Sequence, residues 1–304
     1  MLTEVHKEMN NMISQHTHVP ELKDLALSFI KEQTKDSMHW SKLTLYSHRM
    51  FCGKSEHIYK VAAITELIFL ASDILDDIQD QDHHSKPWMQ HPKDYMFNII
   101  LTIVLSSIGE LNTIFEDKPT SVNKVNDLII QSIYGQQLDI QNTVSTEEEY
   151  FFMLEKKSCS LIRLACYLGY SSLKNNDSNL TNILDELAAI TGIIHQLEND
   201  INDILITEHK NDLLHKKRTL PVLYLLKHGD EFPIIKQYYE GEISKGEIHA
   251  KKDEINQIIQ DSGCIEYARV IQTLYIHKFD EVFETLDAVS PWKERFRDLV
   301  YTEK

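Results

Sequence analysis

Ile64-Thr65-Glu66-Leu67-Ile68-Phe69-Leu70-Ala71-Ser72-Asp73-Ile74-Leu75-Asp76-Asp77-Ile78-Gln79-Asp80 has the apolar spacing of a helix and an acid content that works against one. Ile64, Leu67, Ile68, Ala71, Ile74, Leu75 and Ile78 recur with the helical period and make one stripe, while Asp73, Asp76, Asp77 and Asp80 gather on the other side. Asp is a poor helix former, and the pairs Asp73/Asp77 and Asp76/Asp80 set like charges four residues apart, each costing roughly 0.2–0.5 kcal/mol. No lysine or arginine of the segment shares that face, and Ala62, Phe69 and Leu70 make the approach to it apolar almost all round. A solvated acidic face is the ordinary reading of an amphipathic helix. This one reads as buried, and buried unpaired carboxylates require protons or cations.

The plan recurs further on. Ile190, Ile193, Ile194, Leu197, Ile201 and Ile204 form a second stripe, with Gln196, Asn199, Asp200 and Asp203 away from it. Clusters of hard oxygens suit Mg²⁺, which binds through a few carboxylates together with waters and substrate phosphates. Metal ions turn an acidic pocket into an anion site and stabilise the charge that grows on a departing diphosphate. The expected chemistry is therefore ionisation of an allylic diphosphate held between the two helices. Asp76, Asp77, Asp80, Asp200 and Asp203 are the expected catalytic metal ligands, with Asn199 a weaker one. Lys157, in EKKSCSLIRLACYLG where Leu161, Leu164, Ala165 and Leu168 mark an inward helix, and Lys217, just after the second carboxylate helix, are expected to complete the diphosphate pocket. A lone lysine is usually a solvated charge; only nearness to the motifs singles these two out. Gln196 is expected to touch the diphosphate or the developing cation. Phe69, Ala71 and Ser72, one to two turns before Asp76, read either as the floor of a pocket for the hydrocarbon chain or as plain core packing.

Helical spacing extends over nearly the whole chain, and 9 glycines and 7 prolines among 304 residues leave few places for turns. No alternating strand pattern and no internal repeat interrupts it. The expectation is one all-α domain over residues 1–304 with about ten to thirteen helices, broken near Gly53 to Glu56, Ser85 to Pro92, Lys174 to Ser178 and Lys210 to Thr219, among other places. A formal charge of −16 disfavours nucleic acid as a partner. Cys52, Cys159, Cys166 and Cys264 show no metal-ligand spacing and read as reduced thiols of a cytoplasmic protein. The histidines show no triad or metal spacing, and most read as surface or capping groups. No basic and apolar leader is visible at the N-terminus, and no stretch is expected to reach the length of a membrane span.

With both acidic helices in view, the sequence resembles the trans-type polyprenyl diphosphate synthase family. Asp76-Asp77-Ile78-Gln79-Asp80 matches its first DDxxD, and Gln196 to Asp203 is similar to its second motif, QxxDDxxD. Gly135-Gln136-Gln137-Leu138-Asp139 resembles the family's GQxxD, Lys157-Ser158 its Lys-Thr pair, and Lys217-Arg218-Thr219-Leu220-Pro221 its KxTLP. The resemblance implies an isoprenoid synthase fold around a central apolar cavity and an allylic prenyl diphosphate as substrate. It also implies Mg²⁺, two or three ions, as cofactor, a substrate-binding role for Gln136, and a homodimer.

Three departures bear on the reaction. Asn199 stands where the family has the first aspartate of the second motif. Where elongating synthases keep an arginine pair for isopentenyl diphosphate, this chain reads Asp82-His83-His84-Ser85-Lys86-Pro87-Trp88. Upstream, Cys52-Gly53-Lys54-Ser55-Glu56 is taken as a reduced GGKRxRP, which makes Lys54 a further substrate-binding candidate. Neutral histidine does not replace the bidentate grip of arginine on phosphate, so another acceptor is implied. Within the family, Ala71 to His84, Trp88-Met89, Gly135 to Asp139 and Ser160 to Ile162 resemble the ComQ-like peptide prenyltransferases, which implies transfer of a geranyl or farnesyl group to a tryptophan of a pheromone precursor peptide. Three alternatives stay open: an ordinary short-chain synthase in which His83, His84, Lys54 and Lys86 serve for the arginines, a terpene-cyclase-like enzyme, and a non-catalytic prenyl-binding subunit.

Overall fold

The computed structural model describes residues 1–35, 38–81, 83–173, 178–205 and 211–301; Asp82, most of the break expected at Lys174 to Ser178, and Lys210 lie outside them. Among the described residues there are helices and turns and no strand. In chain order the helices are α1 (Leu2–His16), α2 (Pro20–Gln33), α3 (His39–Arg49), α4 (Ile58–Asp80), α5 (Lys93–Ile114), α6 (Pro119–Gln141), α7 (Glu147–Lys156) and α8 (Ser158–Ser171). There follow α9 (Ser178–Asp203), α10 (Leu220–Lys227), α11 (Pro233–Glu240), α12 (Lys245–Ala250), α13 (Lys252–Asp261), α14 (Cys264–Glu284) and α15 (Trp292–Tyr301), and a single 3₁₀ turn, Pro87–Gln90, precedes α5. The all-α expectation holds. The described helices exceed the expected number because residues 220–261 are cut into short pieces by start signals: Pro221 and Pro233 at helix openings, and a capping box of Ser244 with Glu247.

The chain divides into two compact units, one made of Met1–Gln131, Ser160–Ala189 and Thr285–Lys304, the other of Ser132–Cys159 and Ile190–Glu284. Three of the four boundaries fall inside α6, α8 and α9, and the fourth at the end of α14.

In the first unit α4 is the core helix, and Val61 to Ala71 are buried without interruption. Helices α1, α3 and α5 pack on it, which is why this helix can be apolar nearly all round. Val5, Met9, Met12 and Ile13 of α1 and Met96, Ile99 and Ile103 of α5 join its core. Thr44 of α3 donates to the Ala165 carbonyl at 2.9 Å and lies 2.8 Å from the Thr65 hydroxyl. His48 is no surface group: it is wholly buried, with Nδ1 donating to the Gly169 carbonyl at 3.0 Å and Nε2 accepting from the Ser55 N–H at 3.1 Å. One membrane expectation needs correction. By length and composition α5 is apolar enough to cross a bilayer, with a mean hydropathy of 1.5 over its best window. Its buried side belongs to the core of this unit, while Phe97, Leu101 and Leu105 stand exposed on the other. Helix α15 packs on α3, where Trp292 meets Tyr46.

In the second unit Ile204, Leu213, Val222, Leu225, Ile235, Ile248, Ile255 and Ile259 form the core. Gln272 of α14 donates to the Ile194 carbonyl at 3.2 Å and to Glu198 at 2.9 Å, and Arg269 pairs with Glu198 at 2.9 Å. Glu198 is thus spent on fixing α14 to the C-terminal half of α9.

Candidate active site

The last two turns of α4 carry the first acidic motif. Asp73, Asp76 and Asp80 are half-buried, whereas Asp77 keeps only 6% exposure. Both oxygens of Asp77 have side-chain partners: Trp88 Nε1 donates to Oδ2 at 2.7 Å, and His83 Nδ1 lies 2.7 Å from Oδ1. Gln33 of α2 donates to Asp73 at 3.4 Å. Two turns below Asp76, Phe69 is buried and stacks on Trp40 of α3 with ring centroids 3.9 Å apart and planes 13° from parallel. Ser72 turns its hydroxyl back onto the Ile68 carbonyl at 3.0 Å. Deeper still, burial lifts Glu66 to a pKa of about 7 despite its bond from the Ser41 N–H at 2.8 Å.

The second acidic motif gathers more of the expected groups. Asp200, on α9, is 2% exposed and accepts from the Tyr150 hydroxyl of α7 at 2.5 Å and from the Gln196 amide one turn back at 2.8 Å. Burial pushes Asp200 up to a pKa of about 6; the bonds from Tyr150 and Gln196 and the charge of Lys217 oppose the shift, while Asp139 adds to it. Burial beside the same carboxylate raises the Tyr150 phenol well above its usual value. Ser158 donates to the Gln196 carbonyl oxygen at 3.0 Å, and Lys157 pairs with Asp139 at 2.6 Å. Asp203 is half-buried; Asn199 is exposed.

Local structure explains why these residues meet. Lys157 occupies the joint between α7 and α8, with ψ near −85°. A Cβ on Gly135 would come within 2.1 Å of the Lys157 nitrogen, so the glycine of the GQxxD segment is what lets α6 pass the joint and bring Asp139 to Lys157. Gly192 does the same for α9, where a Cβ would lie 2.8 Å from the Cys159 sulfur. Gln136, the neighbour of Gly135, is buried. The segment bearing Lys217 is held by α11: the Tyr239 hydroxyl donates to the Lys217 carbonyl at 2.7 Å and the Tyr238 hydroxyl to the Leu214 carbonyl at 2.8 Å.

Lys54 is not brought to this chemistry. It is exposed in the turn before α4, and the 18 residues from Ile58 to Asp76 put roughly 27 Å of helix between that end and the aspartates. Tyr150, Trp88 and His83 are the partners that sequence reasoning missed. A hydrophobic residue just past a polar turn is a weak signal for Trp88, and nothing local connects Tyr150 with a carboxylate 50 residues later.

The donor set fits Mg²⁺. Among the described residues no three His, Cys, Asp or Glu side chains form a ready-made metal site. One or two half-exposed carboxylates per motif is the arrangement for Mg²⁺, whose coordination is completed by water and substrate phosphates rather than by a protein cage.

Residues 21–259 match the family model for polyprenyl synthetase. The chain is 28% identical to the tryptophan prenyltransferase ComQ of Bacillus subtilis subsp. natto, over 93% of this chain and 87% of that one. Among solved structures, the heptaprenyl diphosphate synthase of Staphylococcus aureus superposes with a TM-score of 0.84 at 18% identity, covering 100% of this chain and 98% of the other. A polyprenyl synthase from Caulobacter crescentus, complexed with calcium and isoprenyl diphosphate, superposes with a TM-score of 0.82 at 16% identity, covering 98% and 92%.

Proposed function

The chain belongs to the polyprenyl synthetase family and is a prenyltransferase, and from that premise we propose that it transfers a geranyl or farnesyl group from an allylic diphosphate to a tryptophan of a peptide, a pheromone precursor of the quorum-sensing type. The observation that carries the reading is the 28% identity to a tryptophan prenyltransferase along 93% of the chain. In its support, no arginine stands between Asp77 and Lys93 to hold a second diphosphate.

In this reading Asp76 and Asp80 on α4, and Asp200 and Asp203 with a weaker contribution from Asn199 on α9, would hold Mg²⁺, while Asp77 of the same expected set is taken by Trp88 and His83. The metal supplies neutralisation of the negative charge that builds on diphosphate as the allylic carbon–oxygen bond breaks. Lys157 and Lys217 contact the diphosphate, which leaves with the bonding electron pair. Gln196, kept in place by Ser158 and Asp200, presents its amide dipole beside the developing cation. Phe69 and Ser72 line the space for the chain. The acceptor indole provides the electron pair of the new carbon–carbon bond and gives up a proton afterwards. All 304 residues act as one catalytic domain in the cytoplasm, and a second copy of the chain covers Phe97, Leu101 and Leu105.

The test is mass spectrometry of products after the protein meets Mg²⁺ and geranyl or farnesyl diphosphate, with a tryptophan peptide and isopentenyl diphosphate offered together. A peptide heavier by one prenyl group is the expected product. Five-carbon elongation with an untouched peptide would overturn the reading in favour of a short-chain synthase.

A further inference from the structure

The end of α4 is tied at three points to the residues that follow it, as far as the first residue of α5. Lys93 reaches the Ile78 carbonyl at 3.4 Å, the Gln81 N–H closes the helix on the Asp77 carbonyl at 2.9 Å, and the Asp77 side chain takes Trp88 and His83. Trp88 is 1% exposed; Phe29 of α2 meets its ring edge-on at 5.7 Å, and the Lys86 ammonium lies 5.4 Å from the ring centroid. The indole therefore has a fixed place, and its N–H has a short bond to a buried carboxylate. Turning Asp77 toward a metal ion would break both of its bonds and leave the buried indole N–H without its acceptor, a loss that a carboxylate already satisfied by two donors has little reason to accept.

We propose that Trp88 and His83 are positioning residues that act through Asp77. They hold the last turn of α4, and with it the half-exposed Asp76 and Asp80, in register for a Mg²⁺-diphosphate group, and Asp77 is an anchor rather than a ligand. The segment without arginines is thus occupied in holding the helix. This inference rests on the reading of α4 as part of the donor site.

The experiment uses the full chain and its indole ¹⁵N–¹H spectrum, in which three tryptophans give three signals; Trp88 is assigned by its loss in Trp88→Phe, a change that keeps a ring against Phe29. Asp77→Ala should move the Trp88 signal, and adding Mg²⁺ with inorganic diphosphate to the unaltered chain should leave that signal where it is while others respond. Trp88→Phe should raise the Mg²⁺ concentration for half-maximal diphosphate binding by roughly tenfold, the worth of one hydrogen bond to a charged group. Because both changes remove one contact, Trp88→Phe with Asp77→Ala should bind no more weakly than Asp77→Ala alone. A Trp88 signal that moves to its Asp77→Ala position on adding Mg²⁺ and diphosphate, or additive losses in the double variant, would overturn the proposal. If Trp88→Phe does not fold, Asp77→Asn, which keeps one acceptor oxygen for the indole, should weaken Mg²⁺ and diphosphate binding less than Asp77→Ala does, and an equal loss in the two variants would overturn the proposal. If nothing responds to Mg²⁺ and diphosphate, the donor-site reading falls; a Trp88 signal that Asp77→Ala leaves unmoved removes the clamp itself.

Discussion

The two acidic motifs solve one problem with different partners. Each keeps one aspartate buried, Asp77 on α4 and Asp200 on α9, and each satisfies both of its oxygens with one aromatic donor and one further side chain. On α4 the donors are an imidazole and an indole 6 and 11 residues downstream. On α9 they are an amide from the preceding turn and a phenol from α7, with the charge of Lys217 close enough to favour the ionised acid. The α4 end is thus secured from the segment that directly follows it, whereas the α9 motif depends on a phenol from α7 and feels the charge of Lys217. Under the proposed function the contrast would separate two jobs, acid for a metal on α4 and basic groups for diphosphate at Lys157 and Lys217.

The sharpest way to break the comparison is Asp76→Ala. If α4 presents its acid to Mg²⁺, diphosphate release from an allylic donor should fall by roughly a thousandfold or more, since metal stabilisation of the leaving group is worth several kcal/mol, while helical circular dichroism stays unchanged. A collapsed helical signal would mean that Asp76 is structural.

Next comes Tyr150→Phe, which removes a donor from Asp200. That acid titrates near 6 in the folded chain against an ordinary 3.8, so between those values the unfolded chain releases a proton that the folded chain keeps. Stability falls as pH rises through the window, and the loss is complete above it. Without the phenol the folded acid is harder to ionise, so the variant should lose about 1–3 kcal/mol at pH 8 and less at pH 5. Equal losses at both pH values, by urea unfolding, would show that the bond does not favour the charged form.

Glu66→Gln tests the same linkage in the core below the first motif. Glu66 titrates near 7 against 4.5; its contribution is intact below 4.5 and lost as pH rises toward 7. The amide carries no such penalty, so the variant should gain up to about 2–3 kcal/mol over the parent at pH 8 and close to nothing at pH 4. The smallest effect belongs to Lys54→Ala, which should leave donor turnover within about twofold, as surface changes away from a site usually do. A large rise in KM would return Lys54 to the site.

Much of this was legible in the residues themselves. Period-3.6 spacing identified α4 and α9, and aspartates four apart inside an apolar helix marked α4 as a place where something other than packing had been selected. Gly135, Lys157 and Lys217 stood out by their order along the chain. Lys54 was chosen on a short Gly-Lys match, which fixes composition but not which end of a 23-residue helix it adjoins. The division of residues 220–261 into four short helices was hidden because capping signals compete with a nearly continuous apolar pattern.

The sequence by itself determined the helices and their acidic faces, because periodicity and charge repulsion act between residues three or four apart. Only the tertiary structure decided which aspartate of each motif is buried and bonded and which stays half-exposed. That choice depends on Trp88 folding back over Asp77 and on Tyr150 of α7 reaching Asp200, contacts whose strength comes from burial and distance in space, and neither is written in local spacing.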